Sequence, residues 1–296
     1  MIVFLIASLL MLLASCRQEK RQSTSSLKSF TDDLGHTLAL ANQPARIVSL
    51  APSITETLFA LGLDSAIAGV TDYCDFPEPA RSKPRVGGML NPNIERIVEL
   101  KPDLVLMSAS GNIQTDYEKL KGLAIPVFVS HPRTIDGVIK SIRDIGDLTG
   151  RDVKAESLAT ALRNRRSEIS AQLSGKSPRK VLLLISLNPI IVAGEGTFLD
   201  ELITCAHGEN ITRGSRMAYP VLSREEILRH RPDVIIATND IVKSADAIIS
   251  AYPEWKSLPA IRHRRIAVLD ASILSRPGPR VLDGLEAIAE AIHSQL

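Results

Sequence analysis

Six histidines, three cysteines and a pair of matched glutamates are the residues of this chain with most chemistry to offer. His36, His131, His207, His230, His263 and His293 are scattered, with no pair at the i, i+4 spacing that sets two imidazoles on one helix face for a metal. No metal site is therefore expected. His131 follows an aliphatic strand at Val127–Val129, at a carboxyl end that could open on a cleft, and is a candidate ligand contact. His230 is expected to pack against its own domain. There is no Gly-rich phosphate loop, no Gly-x-Ser-x-Gly elbow and no His-Glu-x-x-His. The chain is thus read as no enzyme, with a hydrolase as the remotest alternative. Asp103 and Asp233 each follow a proline at a strand entrance, where turn chemistry accounts for them. Glu95 and Glu225 matter because they hold the same place in a repeat.

That repeat spans Asn93 to Leu106 and Ser223 to Ile236 without gaps. The offset is constant: 225 − 95 = 130 and 233 − 103 = 130. Each copy opens on a helix N-cap residue, places a glutamate two positions later, breaks at Pro-Asp and enters an aliphatic strand. An offset far beyond a solenoid period of roughly 20–50 residues means duplicated domains. Two similar lobes imply a cleft, and clefts between lobes are favoured ligand sites.

The elements that must position these residues can be read along the chain. Thr31–Gly35 reads as a turn between short strands, and Arg46–Leu50 as a buried strand. Ser53-Ile54-Thr55-Glu56 reads as a capping box opening a helix that stops near Gly62. A strand at Ile67–Val70 delivers the loop Tyr73-Cys74-Asp75-Phe76-Pro77. The repeat helix and strand follow, then a helix at Thr115–Lys121 and the strand before His131. Strands alternating with helices mean α/β lobes with parallel sheets. Thr134–Leu173 is helical with a break at Gly150, and Arg151–Leu173 as one helix would span about 35 Å, enough to cross between lobes. The second lobe runs through Val181–Leu187, a helix ending near Cys205, the repeat, a helix at Ala245–Ala251, a strand at Ile266–Leu269 and a last helix from about Pro279. Trp255, after Pro253, is assigned to a surface segment.

The N-terminus suggests where the lobes work. Ile2–Leu13 is almost wholly apolar, of signal-peptide length and too short to span a bilayer as a helix. It ends in Leu13-Ala14-Ser15-Cys16, which resembles a bacterial lipobox and implies lipidation of Cys16. Arg17–Ser29 is polar and serine-rich, as a tether would be. The expected division is 1–16 signal peptide, 17–30 tether, 31–150 first lobe, 151–174 connecting helix and 175–296 second lobe. A formal charge of +2 makes no case for nucleic acid, and 45% hydrophobic residues suffice for two full cores. Cys74 and Cys205 could form a disulfide between the lobes in an oxidising compartment; two free, partly buried thiols are the preferred reading.

The runs Ile47–Glu56, Thr71–Pro77, Asn93–Ile97 with Lys101-Pro102-Asp103, Gly208–Ile211, Ser223–Glu225 and Arg276-Pro277-Gly278-Pro279-Arg280 together resemble one family. It is the periplasmic cobalamin-binding proteins of ABC importers, within the helical-backbone class that also serves haem and ferric siderophores. The resemblance covers essentially the whole mature chain and implies two Rossmann-like lobes joined by a single long rigid helix, with the ligand between them. It implies that the protein, a monomer at the periplasmic or outer cell surface, is held to the membrane by its lipid and captures cobalamin or a related corrinoid. The ligand is cargo; no cofactor is implied. The alternative cargo is haem or a ferric siderophore, and the remote alternative a lipid-anchored hydrolase.

The resemblance also assigns residues. A flat amphipathic corrinoid needs broad apolar or aromatic walls. Tyr73 is implied for the first lobe, and Tyr219 stands where the cobalamin proteins often carry a tryptophan. Met89 and Leu90 fill a stretch where the family can carry another. Arg133 and Arg280 are candidates for meeting an anionic group. Glu95 and Glu225 are implied to dock on arginines of the two subunits of a permease dimer, which works with its ATPase subunits.

Overall fold

The computed structural model describes residues 27–294, so the signal segment, Cys16 and most of the tether lie outside the described residues. The first described element already corrects the tether. β1 (Lys28–Thr31) pairs antiparallel with β2 (Thr37–Leu40), so the ordered fold begins before residue 31.

The first lobe runs β3 (Ile47–Ser49), α1 (Pro52–Ala60), β4 (Ile67–Val70), α2 (Ile94–Glu99), β5 (Leu104–Ser108), α3 (Gln114–Gly122) and β6 (Val127–Ser130). Its four strands are all parallel in the order β4-β3-β5-β6. The edge strand β6 is covered by the β1–β2 turn. Asp32, buried, accepts from the backbone N–H of Val129 at 3.2 Å, while the Asp33 N–H donates to the Val129 carbonyl at 3.1 Å. An unpaired strand edge is a pairing hazard, and these contacts close it.

α4 (Ile135–Thr149) ends on Gly150, whose φ of 65° is left-handed, and turns into α5 (Asp152–Leu173). At 22 residues α5 is about 33 Å long. Bidentate ion pairing joins Arg143 of α4 to Glu156 of α5 at 2.6 and 2.8 Å.

The second lobe is β7 (Arg179–Leu187), β8 (Ile190–Val192), α6 (Phe198–Cys205), β9 (Gly208–Asn210), α7 (Arg224–His230), β10 (Val234–Thr238), α8 (Ala245–Ala251), α9 (Pro259–Arg262), β11 (Ile266–Leu269), α10 (Ala271–Leu274) and α11 (Val281–His293). Its strand order is β11-β10-β7-β8, with β9 also on β7. This sheet is not purely parallel: β8 returns antiparallel on β7 through a two-residue turn at Asn188-Pro189. Farther along, Arg165 of α5 reaches Asp283 at 2.6 Å and Glu286 at 2.5 Å on α11.

Both copies of the repeat fold alike. Asp103 accepts from the Ala45 and Arg46 N–H groups at 2.8 and 2.9 Å, and Asp233 accepts from the Lys180 N–H at 3.0 Å. Each aspartate thereby clamps the entrance of the neighbouring strand. Lys101 and Arg231, also matched, both take positive φ, 47° and 51°, before the proline. In β5, Leu104 and Leu106 face one apolar cluster and Val105 and Met107 another; in β10, Val234 and Ile236 alternate with Ile235 and Ala237 the same way. One cluster is continuous from Leu58 and Phe128 through Ile142 and Leu162 to Leu202 and Ile288, so the lobes share a core on the α5 side.

Three local expectations fail. Ser53–Glu56 makes no capping box: α1 starts two residues earlier with Pro52 at its first position, Ala51 is the N-cap, and Glu56 is buried. Trp255 is fully buried and stacks on Tyr252 at 4.1 Å in the second lobe's core, because the chain after Pro253 coils inward as a 3-10 turn. His230 is exposed in the last turn of α7, where a cation suits the helix end.

Candidate ligand-binding site

Residues that follow the carboxyl ends of parallel strands in both lobes, Ser110 and His131 in the first and Asp240 in the second, line the space between the lobes, which is the cleft. It holds two adjoining cavities of about 430 and 300 Å³ that share Ser110 after β5 and Ser275 and Pro277 after α10. The larger is walled by His131 and Arg133 of the first lobe and by Ile185, Phe198, Tyr219 and Leu274 of the second. The smaller is walled by Pro52, Tyr73 and Met89 on one side and by Asp240, Ser272 and Arg276 on the other.

Each candidate has a local cause for its place. Tyr73 sits on the loop leaving β4 and is 61% exposed, its ring free to face a ligand. The loop is held from its own lobe by Arg85, which donates to the Thr71 and Cys74 carbonyls at 2.7 and 2.9 Å. The Met89 carbonyl accepts from Asn112 Nδ2 at 2.8 Å. Leu90 is the exposed tip of the turn bridged by Gly87 and Pro92, and lines neither cavity. His131 follows β6 with its N–H on Asp33 Oδ2 at 2.6 Å and Nδ1 3.4 Å from Ser110 Oγ. Tyr219, half exposed, lies in a stretch bonded along β8 through Val192 to the Pro220 carbonyl and Gly194 to the Ala218 carbonyl. Gly194 must be glycine there, since a Cβ would stand 2.1 Å from the Met217 oxygen. Four of the five expected contacts therefore share the cleft, and Leu90 does not.

Sequence reasoning missed Phe198, Ile185 and Asp240. Phe198 had a signal: Gly194-Glu195-Gly196 leads into Thr197, whose hydroxyl caps α6 by accepting from the Asp200 N–H at 3.2 Å. Arg280 is not available to a ligand anion, because Glu56 takes it: Nε and Nη2 donate to the carboxylate at 2.9 and 2.7 Å.

Glu95 and Glu225 are exposed in the first turns of α2 and α7, with no ion pair among the described residues. Their unmatched neighbours have other tasks. Arg96 pairs with Glu99 at 2.7 Å, and Glu226 completes a capping box with Ser223. Cys74 and Cys205 are both free thiols, which removes the disulfide. Burial raises both; with Glu201 beside it, Cys205 is pushed up to about 11. No cluster of metal-ligating side chains occurs among the described residues, and none of their helices is long and apolar enough to cross a membrane.

Residues 47–273 match the periplasmic binding protein family. The chain belongs to that family. Among periplasmic binding proteins it is 30% identical over 244 residues to a vitamin B12-binding protein of Vibrio cholerae, covering 82% of this chain and 87% of the relative. It is also 30% identical over 300 residues to an uncharacterized ABC transporter substrate-binding lipoprotein of Bacillus subtilis, covering 95% and 93%. The crystal structure of the Vibrio cholerae periplasmic vitamin B12-binding protein superposes with a TM-score of 0.75 at 30% identity, over 84% of this chain and 96% of that one. A periplasmic heme-binding protein of Roseiflexus superposes with a TM-score of 0.74 at 26% identity, over 83% and 98%. These similarities agree with the two-lobed α/β architecture.

Proposed function

We propose that the chain is a lipid-anchored extracytoplasmic binding protein that captures a corrinoid of the cobalamin class between its lobes and delivers it to an ABC permease dimer with its ATPase subunits. The observation that carries this reading is the cleft itself: two tyrosine faces, Tyr73 and Tyr219, stand on opposite lobes and line its two adjoining cavities. Aromatic faces with scattered polar groups suit a flat, amide-fringed ring. Similarity to vitamin B12-binding proteins supports the cargo, and the lipoprotein relative supports an anchor at Cys16. The exposed, unpaired and repeat-matched Glu95 and Glu225 support docking on a two-fold partner by complementary charge. The protein acts as a monomer, 28–150 and 175–296 forming the jaws and 151–174 the spine. With a shared core and ion pairs along α5, closure is a small tilt.

The test is isothermal titration with cyanocobalamin and then haemin. One-to-one submicromolar binding of cyanocobalamin is expected. A second reading, haem as cargo, is favoured by His131 and Arg133 facing Tyr219 across one cavity, which together offer iron donors and a partner for carboxylates. Heat with haemin alone, and a Soret band in the complex, would select it.

A further inference from the structure

The two motifs farthest apart in the chain meet behind the cavity wall. Ser53–Glu56 lies on α1 and Arg276–Arg280 between α10 and α11, yet Gly278 packs against Ser53 so closely that a Cβ would stand 3.1 Å from the Ser53 carbonyl oxygen. The Glu56 side chain is 2% exposed and lines neither cavity. Its carboxylate is filled from the opposite lobe: Arg280 binds it bidentately, and Arg276 Nη1 reaches Oε1 at 3.2 Å. A carboxylate removed from water needs such partners.

Two guanidiniums against one carboxylate leave a positive surplus, and the Tyr73 loop takes it up. Arg276 also donates to Asp75 Oδ1 at 2.7 Å and to the Tyr73 carbonyl at 3.3 Å, while Arg280 lies 4.0 Å from the centre of the Phe76 ring. These holds on the loop from the second lobe all run through arginines that Glu56 fixes. We propose that Glu56 is a positioning residue: by locking Arg276 and Arg280 across the lobes it sets where the Tyr73 loop stands, and so sets ligand affinity from outside the cavity. The proposal rests on the cleft reading above. A wall ordered in advance lowers the entropy cost of binding. Without the carboxylate, Arg280 loses its ion-pair partner and Arg276 keeps only Asp75, so two partly buried like charges repel and loosen the arginines, with the loop, toward solvent.

The fold contains its own reporter. Cys74 belongs to the same loop, is fully buried, and has Sγ 3.1 Å from both Thr55 Oγ1 and Thr71 Oγ1. Release of the loop uncovers it. The experiment alkylates the full chain with iodoacetamide, follows each cysteine peptide by mass spectrometry, and titrates the same samples with cyanocobalamin. In Glu56→Gln, Cys74 is expected to react about tenfold faster or more, with Cys205 within about twofold of wild type. Affinity for cyanocobalamin is expected to fall about tenfold or more. Ile288→Val, a core change on α11 matched for thermal stability, is expected to change neither. Should Glu56→Gln fail to fold, Arg276→Gln carries the Cys74 readout, which is independent of any contact between Arg276 and ligand. Unchanged Cys74 labelling, or an equal rise in Ile288→Val, overturns the proposal. Failure of cyanocobalamin to bind the wild-type chain overturns the corrinoid reading alone, and Cys74 then decides whether the loop is held.

Discussion

Tyr73 and Tyr219 are exposed side chains, so removing their rings tests binding with little effect on folding. Each single change to alanine is expected to weaken cyanocobalamin by about 10- to 100-fold in titration, with Leu90→Ala near wild type. Asp75 gives a pH test. Burial pushes its carboxyl up, but the hydrogen bond and charge of Arg276 outweigh this and hold it below the usual carboxylate range. A lowered folded value means its contribution is complete above the unfolded value near 3.9 and is lost as pH falls through the folded one. Asp75→Asn is therefore expected to lower Tm at pH 7 by an amount worth under about 1 kcal/mol, since the Asp75 carboxylate is half exposed, and the gap is expected to shrink below about pH 4. At this scale the sequence was legible where chemistry is local. The clamping aspartates and the first-turn glutamates follow from their neighbours. Glu56 read as a cap because its partners, Arg276 and Arg280, lie 220 and 224 residues away.

Among elements, α4 and α5 cross where Gly146 meets Ala155: a Cβ on Gly146 would stand 2.4 Å from that of Ala155. Gly146→Val is expected to prise the crossing apart and destabilise by about 1–3 kcal/mol or more in denaturant melts, with cyanocobalamin affinity per folded molecule retained. The long helix was readable from its length and the Gly150 break, and most strands from their aliphatic runs. β8 was not. Three residues after an Asn-Pro turn carry too little period to announce a strand, yet Tyr219 owes its position to that ladder. Trp255 was misplaced for a related reason: a proline marks a turn but not which way the following residue faces.

At the scale of the whole molecule, the repeat sets one exposed carboxylate on each lobe. Glu95→Lys with Glu225→Lys is expected to abolish uptake through a reconstituted transporter while cyanocobalamin affinity stays normal; lost affinity would sink the docking role. The two-lobed plan was legible from the 130-residue offset, whereas the shared core was not, since it joins residues of both lobes across α5. The β1–β2 hairpin has a further consequence. By folding Lys28 onto the first lobe, where it pairs with Asp147, it leaves 27 − 16 = 11 steps of chain between Cys16 and Leu27. At full stretch that leash measures about 36–40 Å. Were the proposed anchor at Cys16 lipidated, the lobes would be confined to a shallow layer set by that leash, and meeting a transporter would become a search across a plane instead of through a volume.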